Sequence, residues 1–309
     1  MVGSLCALVA MSSGVGYLDG LQAKMDSVAK SFEGRLGYHL IDLTSGESIG
    51  YRDEERYPSA STIKTVVMIE VFNQIEEGKI KWDDQLAVPP VGSRQSSMWT
   101  SHLLEGTKVN IDGLTNLMMN VSDNTATDML AGHVGVGNIE KRMLAWGFDD
   151  TACTIRPPAE NVRLSRLYTS FRNMGVTSPA EMAEILKKIY DGSAASPEAS
   201  EKMIRIMSSQ YWDDFLDWSV PSGVVIASKV GALERSRSDS AIIYGERPYI
   251  LTVYTDNAKD RSWKFENEGH GAIRKLGTLA WNHMNPGHRY YPRGSSQKYA
   301  PTGGGVEGI

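Results

Sequence analysis

Cysteine and metal-ligand patterns are scarce in this chain of 309 residues. Its two cysteines, Cys6 and Cys153, lie far apart, so we expect no disulfide framework. The six histidines are scattered without the close spacing that zinc ligands show. The sequence therefore predicts no metal site and no other cofactor.

An excess of positive charge and long apolar runs are missing as well. With 32 lysines and arginines against 37 acidic residues the net charge is −5, so no extended basic face for nucleic acid is expected. Beyond the first residues, no apolar run is long enough to cross a bilayer. The hydrophobic content of 41% is ordinary and indicates a sizeable core, in one large domain or two intimate ones. The net charge remains compatible with a small neutral or anionic substrate.

The two ends of the chain differ from its middle. Residues 1–16 contain an apolar run and resemble the remnant of a signal peptide, although the basic beginning of such a segment is absent; a disordered N-terminus is the alternative. Residues 286–309 are polar, include three consecutive glycines and are predicted to be disordered. One folded domain over residues 17–285 is therefore expected.

Hydrophobic periodicity divides this domain into strands at both ends and helices between them. The clearest segments are a helix at 18–32, a hairpin at 36–43 and 48–51, strands at 223–231, 239–244 and 249–254, and a helix at 271–283. Strands joined by short turns pair antiparallel, and the early hairpin can join the later strands in one sheet. We therefore predict an α/β (α+β) sandwich, in which helices flank an antiparallel sheet beside an all-helical lobe.

Ser61 opens an apolar helix that fades near Gly78. Lys64 follows three residues later, so on a helix the amine and the hydroxyl share one face and can exchange a proton. The unpaired N–H groups of a helix N-terminus also favour negative charge near Ser61. On its own, such a pair is more often an N-cap serine followed by a solvated lysine.

Two further motifs, together with Ser61 and Lys64, indicate a family of enzymes. Residues 61–64 read Ser-Thr-Ile-Lys, residues 122–124 read Ser-Asp-Asn, and residues 229–231 read Lys-Val-Gly. In this order and setting they resemble the motif set of the penicillin-recognising serine enzymes. Residues 117–127 and 177–183 are also similar to class A β-lactamases, and the resemblance covers about residues 18–283. It implies a sheet, a helical lobe and an active site between them.

The resemblance also implies roles for the reacting groups. Ser61 would attack a carbonyl and become acylated, with Lys64 as its base. Ser122 would pass a proton to the leaving nitrogen. The backbone N–H groups of Ser61 and Ala232 would form the oxyanion hole.

Substrate binding is implied for two more side chains. Asn124 would hold Lys64 and the substrate amide, and Lys229 would supply positive charge to a substrate carboxylate and to Ser122. Asp123 and Gly231 have structural interpretations: a short acceptor that braces its loop, and a missing side chain that lets substrate approach the strand.

Two positions depart from the family pattern. Val230 stands where a threonine or serine is usual, so a hydroxyl for the substrate carboxylate is missing; Arg235 or Arg237 could compensate, or both could be solvated. Residues 156–161 contain no copy of the Glu-x-x-Leu-Asn pattern that activates the deacylating water. Glu160 is the local candidate for that base, and a solvated loop glutamate is the alternative.

These features predict a serine hydrolase that opens a β-lactam amide through an acyl-serine intermediate. Two alternatives stay open: a peptidase or esterase on the same scaffold, and a penicillin-binding protein or pseudoenzyme with slow or absent deacylation. The expected partner is a small β-lactam or another acyl or peptide substrate, with no nucleic acid and no membrane span. The resemblance implies a periplasmic or secreted protein, whereas the incomplete signal segment leaves a cytoplasmic location open.

Overall fold

A computed structural model describes residues 16–94, 99–171 and 174–292 of the chain. Nine helices and ten strands lie in these ranges. The helices are α1 Asp19–Ser31, α2 Lys64–Glu76, α3 Ile111–Asn120, α4 Asn124–Val134, α5 Val136–Ala145, α6 Val162–Phe171, α7 Pro179–Tyr190, α8 Pro197–Met207 and α9 Glu268–Met284. The strands are β1 Arg35–Asp42, β2 Ser48–Tyr51, β3 Tyr57–Pro58, β4 Gln85–Ala87, β5 Lys108–Asn110, β6 Ala152–Cys153, β7 Gly175–Thr177, β8 Val225–Leu233, β9 Ser236–Tyr244 and β10 Tyr249–Asp256.

Five strands form the main sheet in the order β2-β1-β10-β9-β8. All neighbouring strands in it are antiparallel, and β8 lies at one edge. The hairpin of β1 and β2 joins the C-terminal strands through β10, as the sequence predicted. The edge position of β8 leaves one side of that strand free to border a cavity.

Helices cover both faces of this sheet because its strands alternate their apolar side chains. Ile242 and Ile250 point into the core that contains α2 and α7. Ile243 and Leu251, one residue further along, point into the core that contains α1 and α9. The period of two along each strand thus produces two apolar layers, and the predicted α+β sandwich is confirmed.

Helix α2 runs through the middle of the first core. Its buried residues extend around the helix from Lys64 to Gln74, as expected for a helix that is apolar on most sides. The carboxylate of Glu70, only 2% exposed, accepts hydrogen bonds from Arg142 and Gln74. The helix that carries the first motif is therefore anchored within the helical lobe.

Part of the segment that the sequence predicts as a disordered tail is hydrogen-bonded to α9. Residues 286–292, assigned to a disordered tail from the sequence, are hydrogen-bonded to α9 through the Trp281 indole and the Asn282 side chain. The remainder of that predicted tail, 293–309, and most of the predicted N-terminal segment lie outside the described residues. In the described ranges, no helix is both long enough and apolar enough to cross a membrane.

Candidate active site

Ser61 lies in a short 3-10 turn, Ala60–Ile63, that leads directly into α2. The backbone N–H of Lys64 donates to the carbonyl of Ser61, which fixes the spacing of the two residues. Ala60 has a φ of 47°, a left-handed conformation that surrounding structure must stabilise. Ser61 borders a cavity of about 350 Å³ that is also bordered by β8 and by the α3–α4 connection. The turn therefore places Ser61 at the boundary between the sheet and the helical lobe.

The amine of Lys64 joins the first motif to the second. Its Nζ donates to the carbonyl and to Oγ of Ser122, at 2.7 and 3.0 Å, and to Oδ1 of Asn124 at 2.7 Å. The Lys64 side chain is fully buried. Ser122 and Asn124 border the same cavity as Ser61. The buried amine of Lys64 thus holds Ser122 and Asn124 of the second motif close to the helix that carries the first motif.

Burial lowers the pKa of Lys64 well below its ordinary value. The neighbouring charge of Lys229 lowers this pKa further, while Asp123 acts in the opposite direction. A lower pKa enlarges the fraction of neutral amine near pH 7, and only the neutral amine can accept a proton. The environment of Lys64 is therefore suited to a general base.

Asp123 braces the loop that presents Ser122. Its Oδ1 accepts from the N–H of Ala126 at 2.8 Å and caps α4, and its Oδ2 accepts from the N–H of Thr100 at 2.7 Å. Ser122 itself has a φ of 59°, which is unusual for a residue other than glycine. The side chain of Asp123 thus holds a strained loop in place, in agreement with its structural interpretation from the sequence.

Replacing Asp123 with alanine should lower the free energy of unfolding by about 2–3 kcal/mol, because a helix cap and a buried N–H partner are both lost. Chemical denaturation measures this change. Asp123→Asn is the matched control: it keeps a capping oxygen but loses the acceptor for Thr100, so its loss should be smaller. Equal stability of Asp123→Ala and the unmodified protein would contradict the bracing role.

Edge strand β8 supplies the third motif. Lys229 is fully buried and its Nζ donates to the carbonyl of Val230 at 3.1 Å. Burial lowers the pKa of Lys229 to about 7, whereas the carboxylate of Asp239 acts to raise it. Burial also raises the pKa of Asp239, on β9, to about 7. Asp239 lies opposite Val230 across β8 and β9, and neither Lys229 nor Asp239 is among the described residues that border the cavity.

Gly231 has a packing role that its sequence interpretation did not include. A Cβ at this position would lie 2.6 Å from Oγ of Ser238 and 2.9 Å from the carbonyl of Ser59. The absent side chain therefore lets β8 pack closely against the turn that carries Ser61. Ala232 follows at once and borders the same cavity as Ser61. The fold thus brings the two expected oxyanion-hole residues to one cavity.

The expected partners of a substrate carboxylate are poorly represented in this cavity. Val230 borders the cavity without offering a hydroxyl. Arg235 is exposed and donates to the carbonyls of Ala258 and Asn257. Arg237 is 1% exposed and is not among the described residues that border the cavity. Neither arginine is among the described residues that border the cavity, so the structure does not support a role for either one in replacing the missing hydroxyl.

The loop that precedes α6 holds Glu160 outward. Arg156 forms an ion pair of 2.7 Å with Asp128 on α4, and the side-chain amide of Asn161 donates to Glu140 on α5. Between these two anchors Glu160 is exposed, and it is not among the described residues that border the cavity. Its placement does not support a role as the base that activates the deacylating water.

One wall of the cavity consists of residues that the sequence analysis missed. They are Trp212, Asp214, Phe215, Trp263 and His270. The aromatic and acidic run at 212–215 is a signal that could have drawn attention. Trp263 and His270 carry no comparable signal, because only the fold brings α9 and the segment before it to the cavity. In the described ranges, no group of three or more His, Cys, Asp or Glu side chains is placed to hold a metal ion.

An antiparallel sheet beside a helical lobe, with a serine one turn before a buried lysine at their joint, defines a class of serine acyl hydrolases. The chain belongs to the β-lactamase enzyme family, whose model matches residues 20–284. It is a serine hydrolase that resembles the class A enzymes.

Individual relatives are distant but cover most of the chain. The β-lactamase CARB-3 of Pseudomonas aeruginosa is 26% identical over 249 residues, which span 76% of this chain and 81% of the relative. A β-lactamase of Rhodobacter capsulatus is 24% identical over 84% of this chain and 87% of its own. Among solved structures, a β-lactamase from Sphaerobacter thermophilus matches with a TM-score of 0.74 at 22% identity, covering 86% of this chain and 97% of its own. PBP-A matches with a TM-score of 0.75 at 21% identity, covering 86% and 96%.

Proposed function

We propose that this protein opens a β-lactam amide through an acyl intermediate on Ser61. The observation that carries the proposal is the position of the Lys64 amine, which is buried, has a lowered pKa and donates to Ser122 and Asn124 beside the cavity that Ser61 borders. A neutral amine in that position can accept the proton of Ser61, and the resulting ammonium can give a proton to Ser122.

The acylation step follows from these contacts. Oγ of Ser61 attacks the carbonyl carbon while its proton passes to Lys64, and the oxyanion takes hydrogen bonds from the N–H groups of Ser61 and Ala232. When the C–N bond breaks, Oγ of Ser122 gives its proton to the leaving nitrogen and is reprotonated by the ammonium of Lys64. The 3.0 Å contact between Lys64 Nζ and Ser122 Oγ supports this relay.

Deacylation is the slower half of the proposed reaction. The acyl ester must be attacked by water, and that water needs a group to accept its proton. Glu160 is exposed, and Asp214 is the single carboxylate among the described residues that border the cavity. We therefore expect the acyl-enzyme to accumulate. Acyl-enzyme capture occurs on this fold: a variant of PBP-A is described as an acyl-enzyme complex with penicillin G.

Rapid-mixing kinetics with a chromogenic cephalosporin test this function. The expected trace is a burst of about one equivalent of opened ring per protein, followed by a slow steady rate, because acylation outpaces deacylation. Ser61→Ala should remove both phases. A full rate in Ser61→Ala, or no ring opening by the unmodified protein at any concentration, would refute the proposal.

The acylation rate should depend on pH in one direction. Lys64 acts only when neutral, so the rate should fall as the pH drops through the lowered pKa of Lys64 and should already be near its plateau below the ordinary lysine pKa. The burst rate measured across a pH series checks this. A rate that keeps rising until the ordinary lysine pKa would show that Lys64 is not the base.

A peptidase or esterase on the same scaffold is the second candidate. Val230 favours it, because the cavity lacks the hydroxyl that would bind a β-lactam carboxylate. Turnover of simple esters without any reaction with β-lactams would select this candidate. Export to the periplasm or out of the cell, which the family resemblance implies, stays a prediction.

A further inference from the structure

Three aromatic side chains border the cavity that Ser61 borders. They are Trp212 and Phe215, from the segment after α8, and Trp263, from the segment before α9. Phe215 is 4% exposed, whereas Trp263 is 67% exposed. A large aromatic ring that stays open to solvent beside a cavity leaves apolar area for a ligand to cover. These three residues form the aromatic wall of the cavity.

The aromatic wall includes a residue anchored beside the group that protonates the leaving nitrogen in the proposed reaction. The indole Nε1 of Trp212 donates to the carbonyl of Val121 at 3.4 Å, and Val121 directly precedes Ser122. Val121 and Ser122 border the same cavity. A leaving group on the nitrogen that Ser122 protonates therefore lies on the side of the cavity where Trp212 is anchored.

Contacts behind the aromatic wall connect Phe215 to Trp263. The ring centroids of Phe215 and His270 are 4.4 Å apart. Nε of Arg237 donates to Nε2 of His270 at 3.1 Å. Cζ of Arg237 lies 4.5 Å from the centroid of the Trp263 ring. This series of contacts fixes the open ring of Trp263 relative to the buried ring of Phe215.

The guanidinium that contacts Trp263 is itself held in place. Arg237 is 1% exposed and donates to three backbone carbonyls besides His270. A cation at the face of an indole attracts the ring, so Trp263 can stay in position without being buried. Its surface is therefore preorganised, and a ligand that covers it need not order a mobile side chain first.

The chemistry of the aromatic wall favours an aromatic ring over other apolar groups. Aromatic pairs with centroids about 4.5–7 Å apart gain stability beyond the burial of their area. An aliphatic group of similar size gains only the burial of area. A flat aromatic substituent therefore binds more tightly at this wall than an aliphatic one.

We propose that the aromatic wall is a subsite for an aromatic substituent on the leaving group, so that the protein prefers β-lactams whose leaving nitrogen belongs to a ring with an aryl group. Trp263 supplies the open indole surface, and the anchoring of Trp212 places the subsite beside Ser122. This inference rests on the proposed acyl transfer at Ser61.

Two matched cephalosporins test the subsite. Both carry a 7-phenylacetamido group, and one has a 3-styryl substituent where the other has a 3-(1-propenyl) substituent. After normalisation to hydrolysis by hydroxide, the styryl compound should acylate Ser61 about tenfold faster, measured as the second-order rate constant of the burst. Trp263→Ala should reduce that ratio to about threefold or less. A general loss of structure would instead lower both rates and leave the ratio unchanged.

Two further variants make the result specific to the cavity. Tyr291→Ala removes an aromatic side chain that is 66% exposed and is not among the described residues that border the cavity, so the ratio should not change. Trp263→Phe keeps an aromatic ring and should retain most of the preference. Equal rates for the two compounds in the unmodified protein, or an unchanged ratio in Trp263→Ala, would overturn the proposal.

Binding without reaction separates the subsite from the acyl chemistry. In Ser61→Ala labelled with nitrogen-15 tryptophan, the indole N–H signals of Trp212 and Trp263 can be assigned by replacing each with phenylalanine. Benzyl alcohol should shift both signals and bind about fivefold more tightly than 1-butanol, which has no ring. This result would support the subsite even if no β-lactam acylated Ser61, which alone would refute the proposed function. Equal affinity for the two alcohols, or no shift of the Trp263 signal, would overturn the subsite.

Discussion

Replacing Lys64 with methionine should slow acylation of Ser61 by on the order of 10²–10⁴-fold, the usual contribution of a positioned general base. Methionine nearly matches the length of the lysine side chain and suits a site with no exposure, so the cavity that the amine occupies stays filled. What is lost is the proton acceptor, together with the hydrogen bonds to Ser122 and Asn124. Rapid mixing with a chromogenic cephalosporin measures the rate.

Two further variants make this result specific to the amine. In Lys64→Arg the guanidinium keeps its proton near neutral pH and cannot act as a base, so acylation should be as slow as in Lys64→Met. Lys79→Met removes an exposed lysine that pairs with Glu77 on the surface, and should leave the rate unchanged. An acylation rate in Lys64→Met within a few-fold of the unmodified protein would mean that another group takes the proton from Ser61.

Replacing Arg237 with methionine should lower the free energy of unfolding by about 4 kcal/mol. The guanidinium is almost fully buried and donates to the carbonyls of Leu233, Ser236 and Ser262 and to His270. Each buried acceptor left without a donor costs about 1–3 kcal/mol, and relaxation of the surrounding chain recovers part of the sum. Chemical denaturation measures the loss.

Arg235→Met is the matched control, since it removes the same group two residues earlier from an exposed side chain. Its loss should be below about 1 kcal/mol, as is usual for a surface substitution. Arg237→Lys should fall near Arg237→Met, because one ammonium cannot replace a fork of donors. A loss of less than about 1 kcal/mol for Arg237→Met would show that solvent satisfies the freed carbonyls.

The three motifs could be predicted from the sequence because each is local. Ser61 and Lys64 are separated by one helical turn, and Asp123 is recognisable as the cap of the helix that follows Ser122. The antiparallel sheet was equally accessible, since the turn between β9 and β10 is short and the strand pattern repeats every second residue. Local spacing and local periodicity carry this information.

The rest of the cavity depends on long-range packing that no local pattern encodes. Trp263 and His270 border the cavity only because α9 folds back onto the sheet. The buried position of Lys229 depends on its pairing opposite Ser240 across β8 and β9. Arg237 follows the same rule: the sequence admitted a substrate-binding or a solvated arginine, whereas the fold places its guanidinium among buried carbonyls.

The nucleophile itself can be identified by peptide mapping after incubation with penicillin G. Trypsin releases residues 57–64 as one peptide, which contains Ser59, Ser61 and Thr62. Fragmentation of that peptide locates the added mass on a single side chain. The expected adduct lies on Ser61, grows faster than it decays, and is absent from Ser61→Ala. An adduct on Ser59 or Thr62, or penicillin consumption by Ser61→Ala at the unmodified rate, would contradict acyl transfer through Ser61.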